Sequence, residues 1–370
     1  MERVVAQEGT RHWLARPLST RARRRALILP LLVALLIGVV LLAVGIGAVQ
    51  IMPDQVVAIL LKQVGIQTTV PFPFEARQES VLMAIRLPRV AAGILIGAVL
   101  ALSGALVQGL FRNPLADPGL IGISSGAALA AAVTIVVGDT LLGGLRAALG
   151  EWLLPLAAFG GGIVTTLLIY RLSSFAGRTS VTTMLLAGIA VNALTGSLIG
   201  LLTFIASDDE LRDLTFWSLG SLGRSNWKLI GVILPFMIAA LLPIPFLGRS
   251  LNAFLLGESE AEHLGVNVER VKIVVVVLVA LAVGAGVAAA GSIGFIGLVV
   301  PHILRLIVGP DHRLLLPGSA LLGASLLLGA DLLARTIAVP AEVPIGIVTA
   351  LVGAPFFFWL LQRDRRRMSA

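Results

Sequence analysis

The stretch "ALILPLLVALLIGVVLLAVGIGAV", residues 26–49, contains no charged side chain. About twenty apolar residues cross the ~30 Å of hydrocarbon in a bilayer. Within it every backbone N–H and C=O must find its partner inside the protein, which a helix achieves by itself. Runs of this kind recur to the end of the chain, so the expected fold class is an all-α polytopic membrane protein. The composition agrees, with 57% hydrophobic and 13% charged residues, whereas soluble domains are about 25% charged. The absence of cysteine removes disulfides, thiolate metal sites and cysteine nucleophiles.

The basic segment "RPLSTRARRR" before the first run resembles the start of a signal peptide. The run is longer than the ~7–15 residues of a signal core and no A-x-A site follows, so it reads as a retained span. Ten spans are expected, at 27–49, 90–110, 118–137, 152–170, 181–205, 229–247, 273–290, 295–308, 314–333 and 343–361. The eighth is short and contains Pro301, which points to a broken or tilted helix. The domain division is a basic tail at 1–26, a membrane domain at 27–361 and a basic tail at 362–370.

An even number of spans puts both termini on one side. Seven arginines precede residue 27 and four lie in "QRDRRRMSA", so that side is the cytoplasm. Of the 28 Lys and Arg, 19 fall on this side. The isoelectric point near 11.2 therefore reflects orientation and not a nucleic-acid partner.

"FRNPLADPGLIGISSGAAL", residues 111–129, interrupts the apolar pattern on the cytoplasmic side. Asn113-Pro114 ends a helix, because proline lacks a donor and pushes its predecessor out of helical geometry. Asp117-Pro118-Gly119 reads as an N-cap followed by proline at the first helical position. The small residues after it allow close backbone approach. The segment is a tight elbow between two packed spans.

A repeat is visible at an offset of 187 residues. Gly93, Gly97, Ala101 and Ala105 form a small-residue stripe, as do Ala280, Gly284, Ala288 and Ser292, and Pro114 and Gly122 find Pro301 and Gly309. Copies beginning five spans apart must be inverted, a plan common in transporters. Ordinary small-xxx-small packing accounts for the stripes equally well.

"RLPRVAAGILIGAVLALSGALVQGLFRNPLADPGLIGISSGA", "GSIGFIGLVVPHILRLIVGPDHRLLLPGSALLGASLLLGADLLAR" and "EVPIGIVTALVGAPFFFWLL" resemble the FecCD-type permeases, membrane subunits of ABC importers for siderophores, haem and cobalamin. The likeness runs over roughly residues 80–362, leaving out 1–26 and the loop at 50–82. It implies ten spans per subunit, a homodimer, two cytoplasmic ATP-binding subunits and a periplasmic substrate-binding protein. The chain is then a transport subunit of the bacterial inner membrane with no cofactor of its own.

No catalytic constellation is legible. Lys62, Lys228 and Lys272 each follow a residue other than glycine, so the chain has no phosphate-cradling G-K-[ST], and a separate subunit must hydrolyse ATP. His12, His263, His302 and His312 lack metal-site spacing. His302, beside a proline, reads as a hydrogen-bonded structural group before it reads as a haem ligand.

Three groups of residues take expected roles. In the segment 251–268, "LNAFLLGESEAEHLGVNV", a short helix carries Glu258, Glu260, Glu262 and His263 between Leu256-Gly257 and Leu264-Gly265. Gly265 suits the position past a helix end, and the resemblance implies docking into a cleft on the ATPase, against a simple solvated loop. Arg86 and Arg89 before the second span, and Arg335 after the ninth, run against the positive-inside bias. The resemblance implies pairing with glutamates of the binding protein, against snorkelling at the interface. Thr182, Asn192 and Thr195 on the fifth span are costly toward lipid and should face a subunit interface or cavity. The resemblance makes that span pathway-lining and the turn with Ser180 and Thr182 a cytoplasmic constriction, while interhelical hydrogen bonding accounts equally well for Asn192.

An ion-coupled secondary transporter would also suit an inverted repeat. It should bury carboxylates at mid-membrane, and the acids nearest the spans, Asp117 and Asp331, lie at their ends. A structural or assembly subunit is the third reading. Within the importer reading the mostly apolar fifth span favours haem, with cobalamin and ferric siderophores as alternatives.

Overall fold

A computed structural model describes residues 20–65 and 73–368. The tail expected at 1–26 lies outside these residues as far as 19, and so do 369 and 370 of the C-terminal tail. Apolar composition and internal hydrogen bonding give helices almost throughout. α1 (Thr20–Gly45) carries the opening run and begins inside the expected tail. α2 (Pro53–Gln63) starts on a proline that needs no intrahelical partner for its nitrogen.

The second span differs from expectation. α3 (Ala76–Val81), a π-helical turn at Leu82–Arg86 and α4 (Leu87–Leu110) join into one helix of 35 residues. Arg86 and Arg89 therefore lie within it and not ahead of a helix starting near residue 90. Asp117 accepts from the Gly119 N–H at 2.7 Å and caps a 3-10 turn, Pro118–Ile121, as the elbow predicts. α5 (Ile123–Val136) then begins after Gly122, whose φ is +80°.

α6 (Gly138–Leu141) and α7 (Gly143–Leu149) lead into α8 (Leu153–Ser173). A two-stranded hairpin follows, β1 (Ser174–Phe175) with β2 (Arg178–Thr179), turning on Ala176-Gly177 with both φ positive. That backbone twist matches the strands' own. α9 (Val181–Ile205) has the boundaries of the fifth expected span. α10 (Asp208–Leu219) opens on Ser207, whose N–H donates to Glu210 Oε2 at 2.8 Å. α11 (Trp227–Leu241) and α12 (Ile244–Phe254) form one apolar segment bent by 46° near Pro243. α13 (Glu258–His263) is short, and α14 (Val268–Ala290) is capped by Asn267, which accepts from the Arg270 N–H. α15 (Ile296–Val308) is a continuous helix with Pro301 inside it, so the break expected there is absent. α16 (His312–Ala334) and α17 (Ile345–Met368) complete the chain, the latter running into the expected tail.

Among the described residues six helices are long and apolar enough to cross a membrane, and α11 with α12 makes a seventh. The shorter apolar helices α5, α15 and the 345–360 part of α17 lie where the third, eighth and tenth spans are expected.

α4 is the axis of the bundle, packed against α16, α15, α14 and α11. Its small residues permit this. A Cβ on Gly97 would come 2.5 Å from the Gly323 carbonyl oxygen, and one on Gly104 only 1.6 Å from that of Gly297. Lipid tails are as apolar as the side chains, so close van der Waals contact must hold such helices together. The stripe thus serves packing. The proposed copies diverge at their prolines, since Pro114 lies in a turn and Pro301 within a helix.

Candidate functional site

Two clusters of polar residues stand at opposite ends of the bundle. At the end expected to face the cytoplasm, the segment 251–268 is fixed at both extremities. Asn252 Nδ2 donates to Asp311 at 2.7 Å, and its Oδ1 accepts from the His312 N–H at 2.8 Å. Between Gly257 and Gly265 the chain forms α13 as expected. Gly265 takes a φ of +83° and its N–H bonds to the Glu262 carbonyl. That left-handed conformation is the one glycine adopts freely. Leu255, Leu256 and Leu264 are exposed at 43%, 65% and 64%, giving an apolar surface around the acidic helix. Glu260, Glu262 and His263 are also exposed.

Beside α13 lies the hairpin that leads into α9. Ser180 caps α9, accepting from the Thr183 N–H at 3.2 Å, and Thr182 is exposed in the first turn. The two segments meet at Lys272, which is 2% exposed. Its ammonium donates to the Thr179 carbonyl at 2.7 Å, to Glu258 at 2.7 Å and to Glu269 at 3.0 Å. The second Glu269 oxygen accepts the Thr179 N–H at 3.0 Å. Sequence alone marks Lys272 only as a lysine outside any P-loop. The available signals were the i,i+3 spacing of Glu269 and Lys272 and a lysine at the mouth of an apolar helix.

Further along α9, Asn192 ties the helix to the elbow. Its Oδ1 accepts from Ser125 Oγ at 2.6 Å and its Nδ2 donates to the Gly119 carbonyl at 3.2 Å. Thr195 Oγ bonds to the Asn192 carbonyl and is 5% exposed. Thr195 therefore points into its own subunit, not toward an open face. One side of α9 packs through Met184 and Gly188, and the other is bare, with Leu186, Ile189, Leu194, Leu201 and Phe204 between 59% and 87% exposed.

At the other end the three arginines are not presented as free guanidinium groups. Arg86 is 4% exposed and Arg89 7%. Arg86 donates to the carbonyls of Val44, Gly45 and Val49 at the end of α1. Arg89 is held between two carboxylates, 2.8 Å from Asp331 and 2.8 Å from Glu342. Arg335 bonds to the Ala43 carbonyl and lies 3.7 Å from Asp331. A charge in a low-dielectric setting needs such partners, so the helix ends recruit them from within the chain. Glu342 is the half-exposed member, and hydrogen bonds from Arg89 hold its carboxyl below the usual range.

His302 packs edge-on to Phe356, with ring centroids 6.1 Å apart. Among the described residues no group of three or more His, Asp or Glu is placed to hold a metal ion.

A chain of apolar spanning helices, with a short acidic helix and a hairpin side by side at one end, is built as the membrane subunit of a transporter. The sequence model of the FecCD transport family matches residues 35–363, so the match takes in the 50–82 region that the motif likeness left out. The hemin transport system permease HmuU of Yersinia pestis is 48% identical over 289 residues, 77% of this chain and 84% of that protein. The vitamin B12 import permease BtuC of Escherichia coli is 43% identical over 294 residues, 79% of this chain and 87% of that one. A solved structure, a metal-chelate type ABC transporter in an inward-facing conformation, superposes with a TM-score of 0.76 at 32% identity, covering 91% of this chain and 99% of that one. The class is the permease subunit of an ABC importer, which carries no ATPase of its own and works with separate ATPase subunits and a binding protein. This chain belongs to the FecCD transport family.

Proposed function

We propose that the chain is the permease of a haem importer in the bacterial inner membrane, with both termini in the cytoplasm. The observation that carries the substrate is the 48% identity to a hemin permease, against 43% to a vitamin B12 permease. Two copies form the translocation unit. The bare apolar length of α9 supports this, since a face so poorly covered within one chain is free to pack on a second copy around the pathway. Ser180 and Thr182 then stand at its cytoplasmic mouth, and Asn192 and Thr195 brace the helix behind it.

On the cytoplasmic side, 251–268 docks with one of two ATP-binding subunits. Leu256 and Leu264 enter the partner, with Gly257, Glu258, Glu260, Glu262, His263 and Gly265 shaping the helix between them. On the outer side, Arg86, Arg89 and Arg335 serve the substrate-binding protein as a buried source of positive potential. Three guanidinium groups there face two carboxylates, leaving a surplus of one positive charge per copy to attract an acidic partner. The paired state of Asp331 speaks against an ion-coupled carrier, which needs a carboxylate free to exchange its ion.

The test is ATP-driven uptake into proteoliposomes containing the permease, its ATPase and its binding protein. Hemin should accumulate, and cyanocobalamin and ferrichrome should not. Uptake of cyanocobalamin in place of hemin overturns the substrate and leaves the importer intact.

A further inference from the structure

We propose that Lys272 is a positioning residue that links the coupling helix α13 to the cytoplasmic gate turn, so that the two move together. The inference rests on the coupling role assigned above to 251–268.

An ammonium has three donors and accepts nothing. Here each donor is spent on a different element: Glu258 at the start of α13, Glu269 in the first turn of α14, and the carbonyl of Thr179 in β2. Glu269 completes the device by taking the Thr179 N–H. Both backbone polar groups of Thr179 are thus held by the Lys272–Glu269 pair. The Thr179 hydroxyl is spent as well, 3.0 Å from Ser174 Oγ and 3.2 Å from the Tyr170 hydroxyl. The next residue is Ser180, the cap of α9. A displacement of α13 acts on Glu258, and through one buried charge on the residue beside that cap.

The burial of Lys272 makes the link stiff. If α13 moves alone, the ammonium, 2% exposed, must give up either Glu258 or Thr179, which is unfavourable for a buried charge. The cheaper course is for the hairpin to follow. Glu258 is the separable part. Without it, Lys272 and Glu269 still neutralise each other and still hold Thr179, so the hairpin keeps its shape while losing its tie to α13.

The experiment uses the permease purified with its ATPase subunits in nanodiscs. The chain has no cysteine, so an environment-sensitive fluorophore can be placed at Phe175→Cys in the hairpin or at Glu262→Cys in α13, both exposed. With Glu258 present, Mg-ATP and vanadate should shift the emission at both positions. In Glu258→Ala the shift at 262 should persist and that at 175 should fall at least five-fold. Glu258→Gln, which keeps an acceptor without the charge, should fall between and serves if the alanine variant does not assemble. Equal shifts at 175 with and without Glu258, or no shift at 175 in the parent, overturn the link. The coupling role is tested apart from it by Leu256→Asp with Leu264→Asp. If that double variant still copurifies with the ATPase and 262 never responds to nucleotide, the coupling role itself falls.

Discussion

α4 and α9 are alike as sequences and opposite as structures. The span containing α4 has a mean hydropathy of 2.4 over its most apolar window and α9 one of 2.0, yet 83% of the first window is buried and 11% of the second. Hydropathy registers that a helix belongs in a membrane and says nothing about what it touches there, because lipid, a neighbouring helix and a second subunit are equally apolar. Small residues separate the two cases better. On α4, Gly93, Gly97 and Gly104 each have another side chain or backbone within 2.5 Å of where a Cβ would stand, whereas on α9 only Gly188, against the elbow, is so close and Gly196 and Gly200 have nothing within 4 Å.

The contrast can be broken by substitution. The largest effect should come from Arg89→Ala, which takes from Asp331, 1% exposed, its nearer cation and leaves it Arg335 alone, 3.7 Å away. Losing one member of a buried pair costs about 3–5 kcal/mol, to be read as a lowered unfolding temperature in detergent. Arg89→Ala with Asp331→Ala should recover much of the loss, and a double variant no better than the single denies the pairing. Gly104→Ala should follow at about 1–3 kcal/mol, the usual cost of overpacking, since its Cβ collides with backbone that cannot rotate away.

On α9 the tie at Asn192 should matter and the bare glycines should not. Asn192→Ala removes the bonds to Ser125 and Gly119 and should cost about 1–2 kcal/mol, again by thermal unfolding. Loss at Asn192 as great as at Arg89 would erase the distinction between the helices. Acidification should act more mildly, through Glu342. Its carboxyl titrates below the ordinary value of about 4.5, so its contribution is complete above that pH and lost as pH falls through the depressed value. Glu342→Gln should flatten the acid limb of a stability profile between pH 5 and 3 (roughly the window in which such a carboxyl protonates). Smallest of all, Gly196→Ala should change stability by about 0.5 kcal/mol or less. A large loss there would mean that α9 is already packed on a second copy in detergent.

What the sequence disclosed follows the same division. The all-helical membrane class was legible because a bilayer demands length and apolarity locally, whereas the start of the second helix at Ala76 was not. The elbow and α13 were legible because Asp117, Pro118 and Gly265 announce caps and stops within a few residues. The outer arginines were visible as anomalies, but not their partners, because Arg89 and Asp331 lie 242 residues apart and no local rule pairs them. For Lys272 the local half, Glu269 three residues back, was legible, but not Glu258 and Thr179, which lie 14 and 93 residues away. The bond from Thr195 to its own helix was not legible either, because a polar residue costly toward lipid can turn to a cavity, a partner or the carbonyl one turn back.

The 35-residue helix from Ala76 to Leu110 has a mechanical consequence. At 1.5 Å per residue it is about 52 Å long, roughly 20 Å more than the ~30 Å of hydrocarbon, a surplus that tilt and projection share. Lys62 of α2 is lashed to it by an ion pair with Glu79 at 2.7 Å, and the indole N–H of Trp227 grips it at the Met83 carbonyl. Any rocking of the central rod swings this outer rigging with it. Whatever binds at this end of the bundle therefore touches the far arm of a lever whose near arm is the core.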